Sequence, residues 1–368
     1  MSRKSVLVLA LAASGCGITA DLGDDYEPRP DGGGVGGAAP GASTGAPSDL
    51  VYGVDDGIES IDLLAISGEY LYFPKAVRRG EAGFNASLMR CEKTNCAKTA
   101  QVVLDSPYRT IAALEIVGDR IGMVEEGDSA SITTCTAPDC TDLMRIANLR
   151  YVGGIRFEHD AVEWAHGEDR AIYRCTLPHC EAGPELVLGD VGAYDILRSD
   201  EVTIIQDGSN VWRLSGGEIE LLELGAVSRS LGGIGTVPPD DPELSVRQLS
   251  IDGDWLYASN SASTIARWPL RGYGPRQVIL DRDRSNPDFT VHEGELAART
   301  FGLDSDPLES SSVAFCRVDA CDDTLEEAFA PGWASAIVWG EDRWYWAWNS
   351  ADNPSRLEIR SSPRLSAP

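Results

Sequence analysis

A tight acidic turn between two apolar runs recurs seven times along this chain, and no other feature limits its fold as strongly. The copies read "AISGEYLYF", "EIVGDRIGM", "RFEHDAVEW", "ILRSDEVTI", "SIDGDWLYA", "TVHEGELAA" and "IVWGEDRWYW". Aligned on Glu69, Asp119, Asp160, Asp200, Asp254, Glu295 and Glu341, they are 50, 41, 40, 54, 41 and 46 residues apart. Strand-like alternation flanks each turn, which is the pattern of a hairpin. A unit of this length holds several short strands but cannot bury their apolar faces alone, so the units must stack on one another. The expected fold is all-β, a seven-bladed β-propeller over residues 49–366.

The same unit carries a second mark. Eight of the nine cysteines fall in pairs with one spacing: Cys91 with Cys96, Cys135 with Cys140, Cys175 with Cys180, and Cys316 with Cys321. The tetrapeptides between them, "EKTN", "TAPD", "TLPH" and "RVDA", are rich in turn formers. If two strands flank a two-residue turn in each tetrapeptide, the cysteines face each other with Cα atoms about 4.5 Å apart, within disulfide range. Zinc needs four ligands, which two cysteines per hairpin do not supply, and His179 has no counterpart in the other three turns. A redox pair more often has two intervening residues at a helix start. The pairs therefore read as four disulfides, each closing a small loop and contributing about 2 kcal/mol by chain entropy. Units without cysteines show other cross-strand pairs at this place, Arg213 with Glu218 and Trp268 with Tyr273.

The last unit ends before a full fourth strand. The segment "DLVYGVDD", Asp49 to Asp56, has strand character but no partner of its own. It is expected to supply the missing outer strand of the last blade and close the ring.

The N-terminus carries an address. "MSRKSVLVLALAASGCG" joins a basic start to an apolar run too short to span a bilayer, as in a bacterial export signal. "AASGC" resembles the lipobox of bacterial lipoproteins, with Ala13 where that family usually carries leucine. The resemblance implies a signal peptide over residues 1–15 and a lipidated Cys16; Gly17 then suggests outer-membrane delivery by analogy with known sorting rules. Cleavage after Ala20, releasing a soluble secreted chain, is the alternative. Residues 16–48, rich in Gly, Ala and Pro, read as a disordered tether. A formal charge of −27 argues against nucleic acid or bare anionic lipid as a partner, since binding either requires a positive surface.

"DGDWLYASNSASTIARWPLRG" and the recurrent cysteine hairpins resemble YWTD and NHL-like propeller repeats of secreted bacterial lipoproteins, over about residues 50–366. Blades 2, 3 and 6 depart from the aromatic core of that repeat. The resemblance implies a fold; propellers host binders, scaffolds and enzymes alike.

In four-stranded blades the acidic turns and cysteine hairpins share one rim. The opposite rim receives the longer connections, "PKAVRRGEAGFNA", "AHGEDR", "GLDSDPLESS", "NSADNPS" and "SRSLGGIGTVPPDDPELS", and is the candidate binding face. On it, His166, Glu168 and Asp169 could act as ligands or acid–base groups, and Asp304, Asp306 and Glu309 form a cluster suited to calcium. Short charged runs in loops are more often simply solvated. "DRDRSNPD", Asp281 to Asp288, lacks the glycine and closing glutamate of a calcium loop. Trp344, Trp346 and Trp348 alternate onto one face; they could stack a sugar ring, but both faces of a blade are packed, so they read as core. Ser129 has neither an elbow nor a histidine partner, and no catalytic residue is assigned. No cofactor is expected beyond calcium at the acidic loop. The sequence thus suggests a lipid-anchored envelope propeller that binds a protein or envelope component without chemistry. The alternatives are a metal-dependent hydrolase or lactonase and an outer-membrane assembly factor.

Overall fold

A computed structural model of the chain describes residues 49–365 except 55–60, 62, 79–83, 108, 150, 151, 167, 178, 179, 181, 182, 192, 194, 200, 201, 208, 209, 217, 223–245, 261–263, 272, 273, 282–287, 302–310, 330, 331 and 351–356. The strands form seven four-stranded antiparallel sheets, one per repeat. Six are made of consecutive strands. Blade 1 begins at Ala65–Ser67, blade 2 at Thr110–Val117, blade 3 at Val152–Phe157, blade 4 at Asp195–Ser199, blade 5 at Val246–Asp252 and blade 6 at Phe289–His292. Blade 7 takes Gly332–Trp339, Arg343–Ser350 and Leu357–Pro363 from the C-terminal end, and its outermost strand is Asp49–Val54. The N-terminal strand runs antiparallel to Leu357–Pro363, from Asp49 opposite Ser361 to Val54 opposite Leu357. The fold is a seven-bladed β-propeller closed by its N-terminal strand.

Packing explains why seven units cohere. The buried apolar side chains fall into seven clusters, and each joins two neighbouring blades. One joins Leu71, Phe73 and Met89 of blade 1 to Tyr345, Ala347 and Ile359 of blade 7, with Tyr52 of the closing strand among them. Another sets Trp344, Trp346 and Trp348 of blade 7 against Val313 and Phe315 of blade 6, so the alternating tryptophans are core. Gly122 matters for a steric reason: a Cβ there would lie 2.3 Å from the ring of Phe157, which presses onto blade 2 from blade 3.

All four predicted disulfides form, with Cα separations of 4.7, 4.8, 5.5 and 4.8 Å. Their hairpins differ from simple two-residue turns. In blades 1 and 6 the second cysteine opens a single helical turn, Cys96–Thr99 and Cys321–Thr324. The Thr99 hydroxyl accepts the Glu92 N–H at 2.9 Å, and Thr324 does the same for Arg317. In blade 2, Cys140 lies in the turn at φ 55°. The first cysteine of each pair ends a strand inside an inter-blade core. Cys91 and Cys96 pack towards blade 7, Cys135 towards blade 1, Cys175 towards blade 2 and Cys316 towards blade 5. Each disulfide therefore braces a seam as well as a turn.

The cysteine hairpins and acidic turns do share one rim, and backbone bonds tie them. Among the described residues of six blades, the N–H just past the third strand reaches the carbonyl of the tight turn: Lys93 to Glu69, Ala137 to Asp119, Leu177 to Asp160, Leu270 to Asp254, Val318 to Gly294, and Arg364 to Asp342. These bonds correct two alignments. The turn of blade 6 is Glu293 and Gly294, both at positive φ, so Gly294 rather than Glu295 is the counterpart of Asp119. Blade 7 has a longer turn closed by Trp339 opposite Trp344, which makes Asp342 the counterpart rather than Glu341. The expected pairing of Arg213 with Glu218 is also corrected. Ser215 stands opposite Glu218, so the ladder brings Arg213 opposite Glu220, and those two form the ion pair. Tyr273 lies outside the described residues, and Trp268 instead carries the Arg276 guanidinium 6.0 Å from its ring centre.

Removing residues 49–54 strips a ladder and Tyr52 from the seam between blades 7 and 1. A buried aromatic side chain alone is worth about 3 kcal/mol. Scanning calorimetry of the truncated chain is expected to show a melting temperature lower by about 10 °C or more; an unchanged value would contradict closure by this strand.

Candidate functional site

Of the loop-rim candidates, the structure describes His166, Glu168 and Asp169. Asp304, Asp306 and Glu309 lie outside the described residues, as do Cys16, residues 282–287 of the Asp281 to Asp288 segment and the link at 223–245. His166 ends the second strand of blade 3, Ala161–His166, and stands opposite Ala171, which begins the third strand. The turn between them folds Asp169 back, so that its Oδ2 lies 3.0 Å from His166 Nδ1. The Tyr173 hydroxyl donates to the same carboxylate oxygen at 3.1 Å, and this bond raises the Tyr173 pKa. The imidazole is mostly buried and Asp169 is more than half exposed. A carboxylate that fixes one imidazole nitrogen leaves the other for acid–base work or for a ligand. His166, Asp169 and Tyr173 thus form a small polar relay, while Glu168 stays exposed in the same turn. Among the described residues, no three His, Cys, Asp or Glu side chains converge as a metal site would require. Ser129 offers its carbonyl to Arg109 at 3.2 Å, and Asp288 pairs with Arg299 at 2.7 Å.

A larger polar assembly lies between blades 3 and 4. Arg156, Glu163 and Arg174 stand directly opposite one another across three strands of blade 3. Arg198 reaches in from the innermost strand of blade 4. Glu158 accepts from Arg174 at 2.7 Å and Arg198 at 3.1 Å, and lies 3.0 Å from Arg156. Glu163 accepts from Arg174 at 2.6 Å. Burial pushes the Glu158 carboxyl up, but the surrounding arginines outweigh it and hold the pKa below its ordinary value. Burial also lowers the Arg156 pKa against the pull of Glu158 and Glu163. Three guanidinium groups surround two carboxylates, although the buried Nε and Nη1 of Arg156 make no hydrogen bond; deleting either carboxylate would leave buried positive charge unpaired.

Two more acids sit on the innermost strands beside this box. Burial pushes Glu115 up to about 7, although the Phe157 N–H donates to it at 2.9 Å and Arg156 pulls it down. Burial likewise pushes Asp195 up to about 7, against the N–H of Ile196. The cause is local: a Cβ on Gly154 would lie 2.4 Å from Asp195 Cα, so only glycine lets blades 3 and 4 approach this closely. Sequence reasoning missed this assembly because its members come from three blades. The signal that could have found it is the charged alternation of Arg156 and Glu158 inside a strand pattern.

The perimeter holds the remaining feature. Among the described residues, all the large apolar side chains that stand exposed lie on outermost strands: Leu50, Val102, Leu143, Leu186, Val187, Ile219, Leu221 and Val278.

Comparison with solved structures agrees on the fold. A catalytically inactive virginiamycin B lyase from Staphylococcus aureus with quinupristin matches with a TM-score of 0.58 at 12% identity, over 86% of this chain and 99% of that one. The β-propeller domain of the trilobed protease from Pyrococcus furiosus matches with a TM-score of 0.56 at 10% identity, over 85% and 96%. YCF48 bound to a peptide matches with a TM-score of 0.53 at 12% identity, over 88% and 96%. At such identities the likeness concerns the fold alone. No family model matches the sequence, and no curated protein does.

The raised Glu115 pKa has a signed consequence. The folded state holds the proton up to about 7 and the unfolded chain releases it near 4.5. The associated stability is full below 4.5 and is lost as pH rises through about 7, a decline of roughly 3 kcal/mol. In denaturation series at pH 5 and pH 8, Glu115→Gln is expected to lose less stability than the native chain. Equal losses would contradict the assignment.

Proposed function

We propose that this chain is an extracytoplasmic, lipid-anchored propeller that works as a binding module without chemistry of its own. The observation that carries the reading is the perimeter. Large apolar side chains are exposed on the outermost strands of six blades, while the members of the ion box bond one another and the buried acids accept the backbone N–H groups of Phe157 and Ile196. Exposed apolar side chains that lie side by side on one face, as Ile219 and Leu221 do, mark interaction sites, whereas single ones are ordinary surface. Four disulfides support an oxidising compartment. Among the described residues no helix is long and apolar enough to cross a membrane. Attachment would then rest on a lipid at Cys16, with outer-membrane delivery following from Gly17.

The relay of His166, Asp169 and Tyr173 favours a second reading, an extracytoplasmic hydrolase or lactonase. Turnover of a lactone and ester panel that disappears in His166→Ala and Asp169→Asn would replace the binding reading.

Two measurements test the first. Radiolabelled palmitate is expected to enter the full chain and not the Cys16→Ser variant; equal labelling, or none in either, would overturn the anchor. Photo-cross-linking residues at Leu186 and Val102 are expected to give discrete envelope adducts, whereas one at Glu168 on the loop rim gives none. Adducts confined to Glu168 would move the binding face to the loop rim.

A further inference from the structure

The outer edges of the blades are not equivalent. An edge strand offers unpaired backbone groups to any extended chain, and natural sheets blunt such edges with bulges or charges. Register shifts interrupt the pairing of the outermost strand in blades 1, 2, 3, 5 and 7. Blade 6 has an even ladder, but its short edge strand Glu326–Phe329 opens with two glutamates. Blade 4 also has an even ladder and two glutamates, but it alone among the described edges joins an unshifted ladder to large exposed apolar side chains. Its outermost strand, Glu218–Leu222, pairs with the third strand without a shift, from Ser215 opposite Glu218 to Val211 opposite Leu222. No described strand follows it on the outside. Ile219 and Leu221, 55% and 43% exposed, lie on one face of this even edge. Glu218 and Glu220 lie on the other, where Glu220 also meets Arg213.

We infer that the edge of blade 4 receives an extended segment of a partner protein as a fifth strand, and that this segment alternates apolar and basic residues. Strand addition draws affinity from main-chain bonds and specificity from alternate side chains. Apolar residues of the incoming strand would lie beside Ile219 and Leu221, and basic ones beside Glu218 and Glu220. A formal charge of −27 favours a basic segment over any other and opposes a second copy of this chain. The inference rests on the binding-module reading and narrows it to one edge and one class of partner.

The probe is a fluorescein-labelled peptide of alternating lysine and valine, titrated by anisotropy against the full-length protein. Saturable binding is expected, weakened about tenfold or more by N-methylation of alternate peptide residues. The double substitution Ile219→Lys with Leu221→Lys is expected to weaken it equally. Both side chains are exposed, so the variant should keep its melting temperature; Leu143→Lys, on a bulged edge, should bind as the native chain does. Three results would overturn the inference: equal affinity for the N-methylated peptide, equal affinity for a glutamate–valine peptide, or native affinity in the double variant. Dimerisation in sedimentation velocity, or adhesion to phosphatidylglycerol vesicles, that is lost in the double variant would overturn it by giving the edge to a second copy or to a membrane. Cross-links at Leu186 that persist while the peptide fails would leave the binding module standing without this edge; loss of both would remove both readings.

Discussion

Everything in this molecule depends on the pairing of the first described strand with the last. Each blade is apolar on both faces, so its stability comes from the neighbours that cover those faces. Six seams can form between consecutive repeats, but the seventh must join the two ends of the chain. Asp49–Val54 does this by completing blade 7 and carrying Tyr52 into the core shared with blade 1. The accompanying ion pair between Arg343 and Asp49 is exposed on the acid side and contributes little beside the ladder and the buried ring.

Closure decides which surfaces remain for function. With the faces buried and the ends joined, a partner can reach only the two rims, the central channel and the outer edges. One rim is fastened by disulfides that reach into four seams and by backbone bonds between its turns. The other carries the His166 relay, held on a blade whose neighbour is locked to it by the arginine and glutamate box. Such a box adds specificity of assembly more than net stability, because desolvating its charges offsets much of their attraction. The edges hold the exposed apolar side chains, and they are where this propeller can take on material without rearranging its core.

The fold was legible because its signals are local and repeated. Turn residues, strand alternation and a fixed cysteine spacing each lie within one hairpin, and the unpartnered run at Asp49 points to the gap in blade 7. Errors arose where one residue changes a register. In blade 6 the two-residue turn carries its acid first, Glu293 before Gly294, which shifted the equivalent of Glu295; a longer turn shifted that of Glu341, and the tight turn from Ser215 to Glu218 moved the partner of Arg213 to Glu220. The cysteine turns of blades 1 and 6 were misjudged because a threonine hydroxyl three residues on stabilises a helical turn instead. Little of the candidate site was legible. Glu115, Arg156 and Asp195 meet only after blades 2, 3 and 4 stack, and the close approach depends on Gly154, which reads in isolation as a weak strand residue. The uneven blunting of the outer edges depends on bulges, whose one-residue shift of side-chain phase does not stand out in strands this short.

Native-state hydrogen exchange of the intact chain, resolved strand by strand, tests closure most directly. If the N-terminal strand completes the ring, amides of Leu357–Pro363 will be protected as strongly as those of the third strands of blades 1 to 6, and Asp49–Val54 will exchange with them as one cooperative unit. Rapid exchange in both strands, with protection retained in blades 2 to 5, would show that the ring is open at this seam.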